Sequence, residues 1–152
     1  MYALAKAEAD SVIVFNRTAE RAAFLVDDLA EAFPDSRLGF EALNEETLTV
    51  MGEAVDLVIN TTSVGMVPQT ELCPWPDNVP VPGDAWFYDL VYNPLETTFL
   101  TRARAAGAKA IDGLGMLVHQ GALSFSQWTE QQAPIDVMRD ACLKGLGIGP
   151  NQ

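Results

Sequence analysis

The chain is short of positive charge. Only 9 of its 152 residues are lysine or arginine, against 21 aspartates and glutamates, for a formal net charge of -12. A nucleic-acid backbone needs a basic surface to bind, so DNA and RNA are excluded as partners, and anionic membrane surfaces with them. Cysteine is scarce too. Cys73 and Cys142 stand far apart with no Cys-x-x-Cys spacing, which leaves neither a disulfide framework nor a zinc site, and no metal is expected. His119 is the single histidine. No apolar run approaches the roughly 18 residues of a membrane helix. The opening Met1-Tyr2-Ala3-Leu4-Ala5-Lys6 lacks the basic stretch and apolar core of a signal peptide. Repeats and low-complexity tracts are absent as well. A cytoplasmic protein of about one domain is the expectation.

What is present is an alternation of strand and helix signals. Hydrophobic residues make up 49% of the chain, enough for a core. The Ala-rich stretch from Met1 to Ala9 reads as helix. Ser11-Val12-Ile13-Val14-Phe15 and Val55-Asp56-Leu57-Val58-Ile59 are apolar, β-rich runs of the kind covered on both faces of a sheet. Thr18 is a suitable N-cap for a helix from Ala19 to Phe33, with apolar residues at Ala22, Leu25, Val26, Leu29 and Phe33. Leu38-Gly39-Phe40 suggests a short strand, and Asn44 with Glu45 and Glu46 a helix start. Five prolines between 67 and 84 (Pro68, Pro74, Pro76, Pro80, Pro82) rule out a regular helix there. Trp86–Leu90 and Lys109–Ile111 read as strands. Between them, Glu96 to Ala106 reads as a helix closed by Gly107. Residues 115–130 and 135–146 read as two final helices. The fold class is therefore α/β, a doubly wound parallel sheet with helices on both faces.

In such sheets ligands sit beyond the carboxyl ends of the strands. The unusual segments all fall there: 16–18, 60–66, 90–94 and 113–116. Asn16-Arg17-Thr18-Ala19-Glu20-Arg21 offers arginines one helical turn apart, which repel unless an anion lies between them. An acidic residue at this strand end would select NAD, whereas arginine can pair with a 2′-phosphate. A solvated arginine pair is the plain alternative. Asn60-Thr61-Thr62-Ser63-Val64-Gly65-Met66 is polar where a strand closes, which an ordinary turn also explains. Gly113 and Gly115 precede a helix, where backbone can approach a ligand closely.

Together with Tyr88-Asp89-Leu90-Val91-Tyr92-Asn93-Pro94 and Asp112-Gly113-Leu114-Gly115-Met116-Leu117-Val118-His119-Gln120-Gly121, these segments resemble, in order, the nucleotide-binding half of the shikimate dehydrogenases. The resemblance implies a Rossmann-like fold, NADP as cofactor and reversible NADPH-dependent reduction of 3-dehydroshikimate. It implies cofactor contacts at Asn16, Arg17, Thr18, Arg21, Thr62, Ser63, Leu90, Gly113 and Met116. Tyr92 and Gln120 would be the substrate contacts, with Asn93-Pro94 a stiff turn between them. No residue of this chain matches the family's proton-transferring lysine and aspartate, so no catalytic residue is assigned. His119, next to Gln120 but on a different helix face, is expected to be structural or at the surface.

No Gly-x-Gly-x-x-Gly precedes Ser11. Gly145-Leu146-Gly147-Ile148-Gly149 is glycine-rich but follows a helix and reads as a tail. The first strand and the phosphate-cradling loop are thus expected upstream of Met1, along with a substrate domain. Residues 1–116 read as a partial NADP-binding domain. Residues 117–152 read as helices that in the family pack back on the substrate domain. Their apolar Leu117, Leu123, Phe125, Trp128, Val137 and Leu143 are expected to be partly bare, and self-association through them follows. Two alternatives are a quinate/shikimate dehydrogenase using NAD and a non-catalytic remnant that binds a protein partner.

Overall fold

A computed structural model describes residues 1–52 and 54–149. The chain forms two compact units, Met1–Glu53 and Ala54–Gln152. All its strand pairs are parallel.

The first unit holds α1 (Tyr2–Lys6), β1 (Ser11–Asn16), α2 (Ala19–Ala30), β2 (Arg37–Ala42) and α3 (Glu45–Gly52). β1 and β2 pair from Ser11↔Arg37 to Asn16↔Ala42. Ala22 and Val26 are the residues α2 buries, so its apolar stripe is real but narrow. With Ala5, Val12 and Leu48 they make the core of this unit. The opening helix is shorter than the Met1–Ala9 expected: Glu8 takes a left-handed conformation (φ 59°) and ends it. Nor is β1 covered on both faces, since Val12 alone is buried there. α2 stops at Ala30, before the expected Phe33.

The second unit holds β3 (Leu57–Asn60), β4 (Trp86–Asp89), α4 (Thr98–Ala105), β5 (Lys109–Ile111), α5 (Leu114–Thr129) and α6 (Ile135–Gly145). Its sheet runs β3-β4-β5. One face packs under α4. Phe87 lies between Trp75 and Phe99, with ring centroids 5.7 and 5.1 Å away, and Leu100, Ala103 and Leu114 close the core with no exposed surface. Each buried aromatic of this kind stabilises by about 1.5–3 kcal/mol through area removed from water. The opposite face carries Leu57 beside Trp86 and, two residues along, Ile111 beside Tyr88; Leu57, Trp86 and Ile111 all stay exposed. β3 is thus not a strand buried on both sides either; its one buried residue is the polar Asn60.

Thr97 caps α4, its hydroxyl accepting from the Leu100 N–H at 3.3 Å. Gly107, at φ +92°, ends that helix as expected. Its N–H donates to Arg104 O and that of Ala108 to Ala103 O, both at 3.0 Å, the paired bonds of a Schellman end. The Pro-rich connection has no regular structure, as expected, yet it is tied down. The Arg102 guanidinium donates to Trp75 O at 2.6 Å, Pro76 O at 2.8 Å and Asp77 Oδ1 at 2.9 Å. α5 and α6 cross at Gly121, where an added Cβ would lie 3.2 Å from Met138 Cε. α6 buries no residue. No helix among the described residues is long and apolar enough to cross a membrane.

Candidate functional site

In the first unit, the carboxyl end of β1 carries Asn16, Arg17, Thr18 and Arg21. Asn16 Oδ1 accepts from the Thr18 N–H at 2.9 Å. The Thr18 hydroxyl caps nothing, so Asn16, not the expected Thr18, supplies the side chain that satisfies the backbone as the strand turns into α2. Arg17, Thr18 and Arg21 are exposed. Among the described residues neither arginine forms an ion pair. Two guanidinium groups thus stand at a strand end without internal anions.

In the second unit, the turns after β3, β4 and β5 are joined by buried polar atoms. Asp89 has no exposed surface and Asn60 is 4% exposed. Asp89 Oδ1 accepts from Asn60 Nδ2 at 2.9 Å and from the Val91 N–H at 3.0 Å, and Oδ2 accepts from the Thr97 hydroxyl at 2.6 Å. Asn60 Oδ1 in turn accepts from the Thr62 N–H at 3.0 Å and the Thr62 hydroxyl at 2.7 Å. The Thr62 oxygen accepts from the Val64 N–H at 3.1 Å. Thr62 and Ser63 are left exposed at the top of this scaffold, as is Tyr92 beyond β4, while Leu90 is half-buried.

Gly113 is the point where the turns after β4 and β5 meet. A Cβ there would fall 2.5 Å from Leu90 O and 2.8 Å from Val91 O. Its N–H donates to Val91 O at 3.2 Å. With φ at -80° the residue needs no unusual backbone; only the lack of a side chain lets the strands' ends close. Gly115 does not precede the helix as expected. It sits in the first turn of α5, with nothing within 4 Å of its Cβ position. Asp112 Oδ1 accepts the Leu114 N–H at 2.9 Å and satisfies that helix end.

Met116 and Gln120 line an open concavity with Tyr88, Asp112, His119, Leu123 and Arg139. Burial lifts the Tyr88 phenol above its ordinary range, and the Asp112 carboxylate adds to the effect. His119 is exposed, as expected, but it shares this hollow with Gln120 rather than lying on a separate face. The Gln120 amide folds back to donate to Leu117 O at 3.0 Å. Thr62, Ser63, Leu90, Tyr92 and Gly113 do not line the hollow. They gather at the carboxyl ends of β3, β4 and β5. Asp89 and Thr97, which organise those ends, escape sequence reasoning: an acid closing a strand and a threonine before a helix are ordinary signals. No cluster of potential metal ligands occurs among the described residues.

Residues 113–143 match the shikimate 5′-dehydrogenase C-terminal domain. Over 150 residues the chain is 45% identical to the NADP(+) shikimate dehydrogenase of Moorella thermoacetica, covering 96% of this chain and 49% of that one. The chain belongs to the shikimate dehydrogenase family. It spans about half the length of the curated family members it matches. Among solved structures, the Thermus thermophilus shikimate 5-dehydrogenase in complex with NADP(H) and shikimate is similar at a TM-score of 0.73 and 36% identity, over 94% of this chain and 49% of that one. The quinate dehydrogenase of Corynebacterium glutamicum in complex with NAD is similar at a TM-score of 0.83 and 28% identity, over 94% and 49%. The α/β, Rossmann-like class expected from the sequence is therefore the family's own.

Proposed function

We propose that this chain supplies the NADP-binding and part of the substrate-facing surface of a shikimate dehydrogenase, an enzyme of aromatic amino-acid biosynthesis acting in the cytoplasm. The reaction is the reversible reduction of 3-dehydroshikimate to shikimate, in which NADPH gives a hydride to the ring carbonyl carbon and the oxygen gains a proton. The observation that carries the reading is the pair Arg17 and Arg21 at the carboxyl end of β1, exposed and, among the described residues, without an ion-pair partner. Guanidinium groups there suit a 2′-phosphate, where an acidic residue would instead suit a free ribose hydroxyl.

The chain's own residues bind and orient. Arg17 and Arg21, helped by Asn16 and Thr18, hold the phosphate of the adenosine end. Thr62 and Ser63 present hydroxyls beside the ribose at the other end. Leu90, Gly113 and Met116 form the wall against which a nicotinamide lies, Gly113 by letting the turns after β4 and β5 close on each other. The Tyr92 hydroxyl and the Gln120 amide meet the substrate's hydroxyls, which requires Gln120 to leave its bond to Leu117 O. No residue of this chain is assigned to proton transfer, so the 152 residues by themselves should not turn over shikimate.

The similarity to an NAD-bound quinate dehydrogenase keeps a second reading, an NAD-dependent enzyme acting on quinate or shikimate. Titration calorimetry with NADP+ and NAD+ separates the two. Tighter binding of NADP+, abolished with Arg17→Ala, supports the first. Equal affinities, or a preference for NAD+, overturn it.

A further inference from the structure

We propose that Asp89 is a positioning residue that locks the turn after β3 to the turn after β4, so that Thr62 and Tyr92 are held as one body. A carboxyl group with no exposed surface and only neutral partners is expensive to bury, and a branched apolar side chain would serve the end of a core strand better. What the carboxyl gains is three donors from three places. Asn60 donates from the end of β3, Val91 from the turn after β4, and Thr97 from the N-cap of α4. The carboxyl is the acceptor all three have in common.

The bonds beyond Asp89 extend the lock to the surface. Asn60 spends its remaining amide capacity on the turn 60–64: it donates to Val64 O at 3.3 Å and accepts twice from Thr62. The Val67 N–H donates to Asn93 O at 3.0 Å, a second tie between the same two turns. Gly113 adds the turn after β5 through Val91 O. Segments from different places in the sequence are thus tied to one buried acceptor group. The consequence for cofactor and substrate rests on the roles proposed above for Thr62, Ser63 and Tyr92: the nicotinamide-side contacts and the substrate contact cannot shift independently.

The amides of Thr62, Val64 and Val91 report on the lock directly, because side-chain oxygens of the network are their acceptors. The test is hydrogen–deuterium exchange on the full ligand-free chain carrying Thr97→Val, which keeps shape and removes the hydroxyl, and Thr97→Ser, which keeps the hydroxyl. Losing one donor to a buried acceptor should raise exchange at Thr62, Val64 and Val91 by about tenfold in Thr97→Val, leave α5 nearly unchanged, and leave Thr97→Ser like the unsubstituted chain. A rise confined to 97–101 would mean a lost helix cap only and overturns the proposal, as does an equal rise in Thr97→Ser or a uniform rise over residues 54–149. Should Thr97→Val fail to fold, the exposed Thr62→Val tests the same chain of bonds from the other end. Faster exchange at Val91 supports the lock, and an unchanged Val91 overturns it. NADP+ titration of the same variants is read separately: failure of the unsubstituted chain to bind would sink the cofactor reading, while the exchange data still decide the role of Asp89.

Discussion

Replacing Gly113 with alanine tests the idea that backbone contact, not conformational freedom, fixes this glycine. The backbone there, at φ -80° and ψ -3°, is one any residue adopts. The obstacle is space. The new methyl would lie 2.5 Å from Leu90 O, 2.7 Å from Leu90 C and 2.8 Å from Val91 O, about an ångström inside the usual contact distance for such atoms. All three are main-chain atoms, so no side chain can swing away. The turns after β4 and β5 must part, and the Gly113-to-Val91 bond at 3.2 Å parts with them. Overpacking costs about 1–3 kcal/mol, and the loss of a backbone hydrogen bond adds about 1 kcal/mol. A destabilisation of about 2–4 kcal/mol follows, or a fall in melting temperature of roughly 10–20 °C for a unit of this size. Urea unfolding followed by tryptophan fluorescence measures it, since Trp75, Trp86 and Trp128 all belong to the same unit and Trp75 is 5% exposed in its core. Gly115→Ala is the matched control. Its Cβ has open space inside a helix, and alanine should stabilise by about 0.5–1 kcal/mol. If the two variants are equally stable, the reasoning from contact at Gly113 is wrong.

Arg17→Asp should weaken NADP+ by about 10- to 100-fold, the worth of charge-assisted hydrogen bonds, and leave NAD+ within about twofold; calorimetric titration with both decides it, and parallel losses would refute the 2′-phosphate role. Burial pushes the Cys73 thiol above its ordinary 9.0, outweighing the opposing pull of Trp75 and Arg102. The folded state then keeps a proton that the unfolded chain sheds, so this contribution to stability is whole below about pH 9 and fades above it. Urea midpoints at pH 8 and 10 should show the fall, and Cys73→Ser should reduce it. Trp128, Leu123 and Val137 are 81%, 74% and 66% exposed on α5 and α6, so Trp128→Ser with Leu123→Ser should cost no more than about 0.5 kcal/mol of stability. By sedimentation velocity the double variant should be smaller than the unsubstituted chain; unchanged sizes would remove these helices as the route to self-association.

Much of this architecture can be read from the residues alone. Apolar β-rich runs mark β1, β3 and β4, the proline cluster marks the irregular connection, and Gly107 marks the end of α4, because each rests on a strong local preference. Coverage of the strands is less legible. Val58 and Ile59 look like core in sequence but are only half-buried, since burial depends on what packs from elsewhere. Of the candidate site, Arg17, Thr62, Tyr92 and Gly113 are visible as polar or glycine residues at strand ends. Asp89 and Thr97 are not, because their meaning lies in one shared carboxyl that also holds Asn60, 29 residues away in sequence, and no local periodicity records that. Gly115 differs from Gly113 in its place: it stands inside the first turn of α5 with open space at its Cβ position, on the hollow that Met116 and Gln120 line.

The guanidinium of Arg102 gives the Pro-rich connection a property its composition would not suggest. Two of its three shortest anchors are the main-chain oxygens of Trp75 and Pro76, and the one charged anchor, Asp77, is 99% exposed at its side chain. Added salt should loosen the grip on Asp77 and leave the carbonyl bonds in place. Lysine could not span the same oxygens, having no planar fork. A protease meeting this segment therefore meets chain whose release is coupled to the opening of α4, so cleavage there should report the unfolding of that helix, not the motion of a loop.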